Sequence, residues 1–566
     1  MKKILIIGGV AGGATAAARL RRLDESAKII IFERTGYVSY ANCGLPYYIG
    51  GVIRSKGALT LQTPQGFRER FNIDVRTRQE VVGIDRASGT VTVKRLDDGT
   101  EYRESYDKLI LAPGASPAVP DIPGVDDARV FTLRTVEDTY RIKEYIEEKR
   151  PKRAVVMGGG FIGIEVAENL VHAGIETVML QRRDQILPPL DYDMACQIHG
   201  YLRKKGIDLR FRSSPERFSE KDGRLLVTLA GGEALTCDLA VIATGVTPDT
   251  DLARRAGLTL GEKGAIVTDD RMRTSDPDIY AAGDAVEVRQ LVTGAPAVIP
   301  LAGPANKQGR IAADNICGIE SRYRGSLGTS IIKIFDMTAA SVGLNEKTAR
   351  AAGVSYDKTV TYSASHATYY PGAGSMTLKT IFDPESGRIL GAQIIGFSGV
   401  DKRIDVMAAA IRAGMTAGDL AELELAYAPP FSSAKDPVNM AGFVIENIRG
   451  GIMKQIHWND VESLPRDGSV TLLDVQDPRE FSAGHIDGAV SIPLDELRGR
   501  VSELDAAKPV YVNCYSGMRS YVACRMLTGL GFDCYNLAGG WRFYAKAAGN
   551  APASAAGAFP CGAAPF

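Results

Sequence analysis

The chain has 566 residues, enough for three or four domains of about 150 residues each. Its 67 Lys+Arg balance 67 Asp+Glu, so it lacks the basic excess of a nucleic-acid binder, and 45% apolar with 24% charged residues is an ordinary globular composition. Eight cysteines are too few and too scattered for a disulfide scaffold. The N-terminal apolar run 4–7 breaks at Gly8-Gly9, so no signal peptide is expected, and no stretch reaches the roughly 18 apolar residues that cross a bilayer. A reduced, cytoplasmic protein without a membrane or nucleic-acid partner is expected.

Residues 4–7 have the pattern of a buried parallel strand. Gly8, Gly9, Val10, Ala11, Gly12 and Gly13 follow, then an Ala-rich helical stretch with Arg19, Arg21 and Arg22. A second strand pattern, 28–32, ends in Glu33, twenty positions past Gly13. This is the layout of a βαβ dinucleotide site. Glycines let the backbone approach a pyrophosphate, the helix N-terminus faces its charge, and the acid accepts from a ribose hydroxyl. Val10 departs from G-x-G-x-x-G at the middle glycine. Further strand-to-glycine turns end at Gly114 and Gly245. Gly283-Asp284 closes the run 280–284, where an aspartate can hold a ribityl hydroxyl of a flavin.

The strand pattern 153–157 leads into Gly158, Gly159, Gly160, Phe161, Ile162 and Gly163, a full G-x-G-x-x-G, with Glu165 on the helix that follows. The next strand, 177–180, ends in Gln181, Arg182 and Arg183 instead of an acid. An acid there favours NADH and arginines meet a 2′-phosphate, so both NADH and NADPH stay open.

Two nucleotide sites imply an electron path to a third group. The stretch Ser39-Tyr40-Ala41-Asn42-Cys43-Gly44-Leu45-Pro46 holds one cysteine, and the next is Cys196. No local redox disulfide can form, but a lone thiolate can make a mixed disulfide with substrate or a sulfenic acid.

Together these segments resemble the two-dinucleotide flavoproteins of the pyridine nucleotide-disulfide reductase superfamily. The resemblance implies FAD on the first unit, with Gly8, Gly9, Ala11, Gly12, Gly13, Glu33, Asn42, Gly283 and Asp284 as binding residues. It implies NADH or NADPH on the second, with Gly158, Gly160, Gly163, Gln181 and Arg182; Gly114 and Gly245 are further cofactor turns. The family's frequent use of NADH tips the expectation toward it. The Cys43 segment resembles the single-cysteine branch that contains coenzyme A-disulfide reductases, NADH oxidases and NADH peroxidases. In the coenzyme A branch two late tyrosines face the cysteine across a homodimer. Tyr369 in 365–372 and Tyr427 in 425–432 match them, with Tyr370 the alternative by one register step. A phenol there can hydrogen-bond the reacting sulfur and protonate a leaving thiolate. Ser39 and Asn42 line that site in the branch, and Arg19, Arg22 and basic residues of 68–76 meet the coenzyme phosphates. The peroxidase branch uses an early histidine, whereas the first here is His172.

Residues 328–450 carry strand patterns (331–335, 376–381, 389–395) and helical patterns (404–413, 438–448) without a nucleotide motif, and the resemblance makes them a dimerisation domain. It also makes 304–310 a flavin-proximal helix start. The chain then restarts. A strand at 470–475 is followed by Arg479-Glu480-Phe481, then Gly484-His485-Ile486. A second strand, 510–513, runs into Cys514-Tyr515-Ser516-Gly517-Met518-Arg519-Ser520. A cysteine on such a turn sits in a nest of backbone N–H groups that stabilises a thiolate or an anion, and Arg519 adds positive charge. These motifs, with 537–541, resemble a rhodanese domain over 458–548. The loop is one residue shorter than a phosphatase C-x5-R loop, which favours sulfane sulfur. Cys524 and Cys534 read as core and His485 as a structural hydrogen-bonding residue. No cysteine–histidine spacing supports a metal.

The fold class expected is α/β: two Rossmann-like domains for FAD (1–110 and 245–327) and NAD(P)H (111–244), an α+β dimerisation domain (328–450), an α/β rhodanese domain (458–548) and a disordered tail (549–566). The combination resembles coenzyme A-disulfide reductase–rhodanese fusions. The activity implied is NAD(P)H-dependent reduction of coenzyme A persulfide or polysulfide to coenzyme A and hydrogen sulfide, with coenzyme A as substrate or tightly bound group. The catalytic residues implied are Cys43, Cys514, Tyr369, Tyr427 and Arg519, and a sulfur-carrier protein is a further partner. The alternatives are coenzyme A-disulfide reduction, and an NADH oxidase or peroxidase whose rhodanese domain serves only for docking.

Overall fold

The computed structural model describes residues 2–549; apart from Gly549, the tail with Cys561 lies outside them. The chain forms two compact units, Met1–Ile186 with Arg203–Gly328, and Leu187–Leu202 with the chain from Thr329 onward. Among the described residues no helix is long and apolar enough to cross a membrane.

The first unit contains two parallel five-stranded sheets. In one, the order is Ile279–Ala281, Lys108–Leu111, Lys3–Ile7, Lys28–Glu33, Asp74–Thr77. Ile4, Leu5 and Ile6 are wholly buried, as a strand covered on both faces requires. Ile7 pairs with both Phe32 and Leu111, so the turns after all three strands open at one edge, where the strand order switches direction. In the other sheet the order is Asp208–Phe211, Glu176–Gln181, Arg153–Met157, Leu239–Ile242, Val130–Thr132. Met157 pairs with Leu180 and Ile242, which aligns a second set of turns in the same way. The helices Ala11–Leu23 and Ala302–Ile316 cross closely. A Cβ on Gly309 would stand 2.2 Å from the Gly12 carbonyl oxygen.

The second unit opens with an antiparallel sheet in the order Ser330–Ile334, Met337–Gly343, Ile389–Gly396, Ser375–Phe382, Asp357–Ala364. Its strands Ser375–Phe382 and Ile389–Gly396 are buried at every position. The helices Val400–Ala413 and Pro437–Arg449 follow. A parallel sheet then runs Lys454–Ile456, Cys534–Leu537, Val510–Asn513, Thr471–Asp474, Val490–Ser491.

The stretch 187–202, inside the expected nucleotide domain 111–244, groups with the second unit. It brings two charges to a buried lysine there. Lys379 is fully buried, and its ammonium lies 3.0 Å from Asp191, 2.7 Å from Asp193 and 2.5 Å from Glu346. A buried ammonium needs such counter-charges, and the 187–202 segment supplies two of them. The three carboxylates converge as metal ligands would, but Lys379 already occupies their centre.

Candidate active sites

The first dinucleotide turn fits the group its sequence implies. Gly8 has φ +91, and a Cβ there would lie 2.1 Å from the Ala112 carbonyl oxygen, so only glycine brings the two turns together. Glu33 is buried; its Oε2 accepts from Gly9 N at 3.0 Å, and its Oε1 accepts from Thr35 N and Oγ1, both at 2.9 Å. A carboxylate has about four acceptor sites, which leaves room for a ribose hydroxyl. Gln308 accepts from Gly283 N at 2.8 Å and fixes the turn that presents Asp284; sequence reading did not single it out.

The second turn also fits. Gly158 has φ +105 with a Cβ position 2.3 Å from the Ala243 oxygen, whereas nothing lies within 4 Å of a Cβ at Gly160 or Gly245, so the backbone there stays open to a ligand. The Gln181 side chain is buried and donates to the Gln185 carbonyl at 2.6 Å, while Arg182 and Arg183 are exposed.

Cys43 sits in the turn Asn42–Gly44, which continues into the helix Leu45–Ile49. Ser39 precedes it in the left-handed region, φ 48, a strained conformation for a residue with a Cβ. Cys43 is solvent-exposed on one side. Atoms packed along its other side desolvate it and push the thiol up, Glu165 and Asp284 add to this, and Arg134 pulls it down. Asn42 turns its amide nitrogen to the Arg134 carbonyl at 3.1 Å and its oxygen to the Arg134 guanidinium at 3.1 Å, an orientation set by that network. Arg134 also bonds Asp284 at 3.0 Å. Arg134 thus ties the cysteine turn to the Gly283-Asp284 turn, and sequence reading missed it.

The basic residues expected to meet coenzyme phosphates differ in state. Arg22 is exposed, but the Arg19 Nε donates to Asp314 at 2.7 Å. Arg76 is held by Asp74 and Glu104, both at 2.8 Å. Pairing leaves Arg19 and Arg76 less charge to offer a phosphate than the sequence suggests.

In the second unit Tyr369 and Tyr427 meet, hydroxyl to hydroxyl, at 2.8 Å, and both are exposed. That bond pushes the Tyr369 phenol up. Tyr370 instead packs edge-on against His366. The loops are positioned from below by Arg403, which is 1% exposed. Its guanidinium donates to the Ser365 carbonyl at 3.0 Å, to Ser432 Oγ at 2.9 Å and to Asp436 at 2.9 Å.

Cys514 directly follows the strand Val510–Asn513 and precedes the helix Met518–Gly529, and it is fully buried. Its sulfur accepts from Gly517 N at 3.1 Å and Ser520 Oγ at 3.3 Å. The loop rests on 539–542. Trp541 N donates to the Cys514 carbonyl at 2.8 Å, and a Cβ on Gly540 would stand 2.3 Å from that oxygen. Arg519, expected to add positive charge at this loop, donates to Glu480 at 2.6 Å. Cys524 and Cys534 are core residues. His485 bonds the Phe481 carbonyl at 2.9 Å and stacks on its ring, a structural role.

Comparison with known proteins agrees with this geometry. Residues 2–309 match the pyridine nucleotide-disulphide oxidoreductase family, 329–437 its dimerisation domain and 457–547 the rhodanese-like domain. A coenzyme A disulfide reductase of Staphylococcus haemolyticus is 38% identical over 444 residues, 78% of this chain and 99% of the relative. The solved structure of reduced Bacillus anthracis CoADR-RHD is 47% identical, covers 96% of this chain and 98% of its own, and superposes with a TM-score of 0.94. A NAD-dependent persulfide reductase from A. fulgidus is 39% identical over 96% of this chain and 100% of its own, with a TM-score of 0.90. The chain therefore belongs to the pyridine nucleotide-disulphide oxidoreductase family and carries a rhodanese-like domain behind its dimerisation domain.

Proposed function

We propose that the protein is a FAD-dependent NAD(P)H oxidoreductase that reduces coenzyme A persulfide or polysulfide at Cys43, with sulfane sulfur handled at Cys514. The observation that carries this reading is the isolation of Cys43. It lies in the chain between two dinucleotide motifs, no cysteine follows it before Cys196, and the residue is exposed. Such a sulfur exchanges with a substrate disulfide and not with an internal partner. When bound, FAD supplies the electron pair that NAD(P)H brings as hydride.

The Cys43 thiolate attacks the coenzyme-bearing sulfur of the persulfide. The S–S bond breaks, hydrosulfide leaves and a Cys43–coenzyme A mixed disulfide forms. Two electrons and one proton convert that disulfide to Cys43 thiolate and coenzyme A thiol. A phenol of the Tyr369–Tyr427 pair is the acid for the departing thiolate, and we place the pair at the partner subunit's Cys43 in a homodimer. At Cys514 the Gly517 N–H and the Ser520 hydroxyl point at the sulfur, and the same donors would face a persulfide held there.

Coenzyme A-disulfide reduction is the second reading. It is favoured by the Staphylococcus relative, whose match spans 78% of this chain. The persulfide reading is supported by the A. fulgidus persulfide reductase over 96% of this chain, a share that the Bacillus anthracis CoADR-RHD structure equals. Steady-state kinetics with NADH and NADPH decide between them. The account predicts the highest kcat/KM for coenzyme A persulfide, one sulfide released per NAD(P)H, and NADH used at least as well as NADPH. A higher kcat/KM for coenzyme A disulfide selects the second reading, and faster consumption with oxygen selects an oxidase. A roughly hundredfold NADPH preference, about 2.7 kcal/mol, would mean that Arg182 or Arg183 grips the 2′-phosphate.

A further inference from the structure

The rhodanese-like domain is fastened to the dimerisation domain, and one of the fastenings passes under Cys514. Both domains belong to the second compact unit. Gln455, in the edge strand Lys454–Ile456 of the rhodanese sheet, donates to the Lys358 carbonyl at 2.7 Å. Asn447, in the helix Pro437–Arg449, donates to the Tyr521 hydroxyl at 3.2 Å, and Tyr521 lies on the helix Met518–Gly529 that leaves the Cys514 loop.

The turn 539–542, which opens the helix Gly540–Ala547, has two sides. On one side it is the floor of the sulfur loop. Arg542 N donates to the Tyr515 carbonyl at 2.9 Å, beside the Trp541 bond to the Cys514 carbonyl. A Cβ on Gly540 would lie 2.8 Å from both Ser516 N and Gly517 N, and Gly517 N is one of the two donors on the sulfur. On the other side the turn meets the dimerisation sheet. A Cβ on Gly539 would stand 3.2 Å from Val360 Cγ1. The Arg542 guanidinium lies over the Tyr362 ring, 4.7 Å from its centroid, and donates to Ser375 Oγ at 3.3 Å. The ring face attracts a cation, and more so out of water. Tyr362 and Ser375 stand on the paired strands Asp357–Ala364 and Ser375–Phe382.

We propose that Arg542 is the positioning residue of the Cys514 site, held in place by the Tyr362 ring and the Ser375 hydroxyl of the dimerisation domain. Its guanidinium is anchored in one domain while its backbone N–H carries the loop of the other. A shift of the guanidinium therefore moves the Tyr515 and Cys514 carbonyls, and with them the Gly517 N–H aimed at the sulfur. A donor held by neighbouring packing keeps its aim only while that packing holds. The rhodanese-like domain thus works docked, its sulfur loop set by a sheet that belongs to another domain. The sulfur chemistry rests on the function proposed above, whereas the bracing of the loop does not.

The test compares the full-length, FAD-loaded wild type with Arg542→Met, Tyr362→Leu and Tyr362→Phe. Two quantities are measured: steady-state sulfur transfer from thiosulfate to cyanide, and hydrogen exchange of peptides covering 514–520, by mass spectrometry. Arg542→Met and Tyr362→Leu lower kcat about tenfold or more and leave the KM for thiosulfate within about twofold, because a displaced loop still admits the donor but misaligns the sulfur. In both, the loop amides exchange about tenfold faster while those of the helix Leu494–Arg500 do not change. Tyr362→Phe keeps the ring face and matches the wild type in both measurements. Wild-type kcat and exchange in Tyr362→Leu overturn the proposal, and so does a fall in kcat with no faster exchange at 514–520. If Arg542→Met does not fold, Tyr362→Leu decides. A wild type that transfers no sulfur ends the sulfur reading of Cys514, and the exchange comparison then decides the bracing by itself.

Discussion

At the scale of single residues, Cys43 is set by charges that come from distant parts of the chain. Arg134 lowers its thiol, Glu165 and Asp284 raise it, and Arg134 is itself spent on Asn42 and Asp284. We expect Arg134→Gln to slow alkylation of Cys43 near pH 8 by about three- to tenfold, since losing a nearby positive charge raises a thiol's pKa. An unchanged rate would mean that the Asp284 pairing already cancels the Arg134 charge. Cys43 itself was legible, because a lone cysteine between two dinucleotide motifs has few other uses. Arg134 and Gln308 were not. No spacing rule joins them to Cys43 or Asp284, and only the meeting of separate turns at one sheet edge does.

At the scale of elements, two buried ionic clusters hold the second unit in shape. Arg403 joins the loops that bear Tyr369 and Tyr427 through Ser365, Ser432 and Asp436. Arg403→Met strands the Asp436 carboxylate in the core, and removing one partner of such a pair costs about 3–5 kcal/mol. We expect a lower melting temperature by calorimetry, with the tyrosine-dependent activity lost alongside it. The Lys379 cluster makes a prediction about pH. Burial alone would raise Glu346, but Lys379 and Lys358 bring it down from 4.5 to about 2. Its contribution to stability is therefore complete above the ordinary value of 4.5 and lost as pH falls toward 2. Glu346→Gln should flatten the fall in melting temperature over that acid range. An unaltered slope would place the titrating group elsewhere. The patterns 331–335, 376–381 and 389–395 were readable as short β-like runs. Met337–Gly343 and Asp357–Ala364 were not, because Ala, Ser, Thr and Lys interrupt their pattern. That 187–202 supplies counter-ions to Lys379 was not readable, because a buried lysine's need for them leaves no periodic trace.

At the scale of the whole molecule, two cysteines sit in different surroundings: Cys43 is exposed, Cys514 buried under donors. If the tyrosine pair serves the partner subunit, mixing Cys43→Ser with Tyr427→Phe chains regenerates activity, since one site of the heterodimer holds both wild-type residues. No recovery after confirmed subunit exchange would place Tyr427 in its own subunit's site. The division of labour is the central claim, and sulfide release from a sulfur donor tests it most directly, measured with NADH and coenzyme A in Cys43→Ser and Cys514→Ser chains. The account predicts that Cys43→Ser releases no sulfide from any substrate yet still transfers sulfur from thiosulfate. Cys514→Ser should still reduce coenzyme A persulfide supplied directly but lose most of the donor-fed reaction. Sulfide release that persists in Cys43→Ser, or a donor-fed reaction untouched by Cys514→Ser, would contradict it.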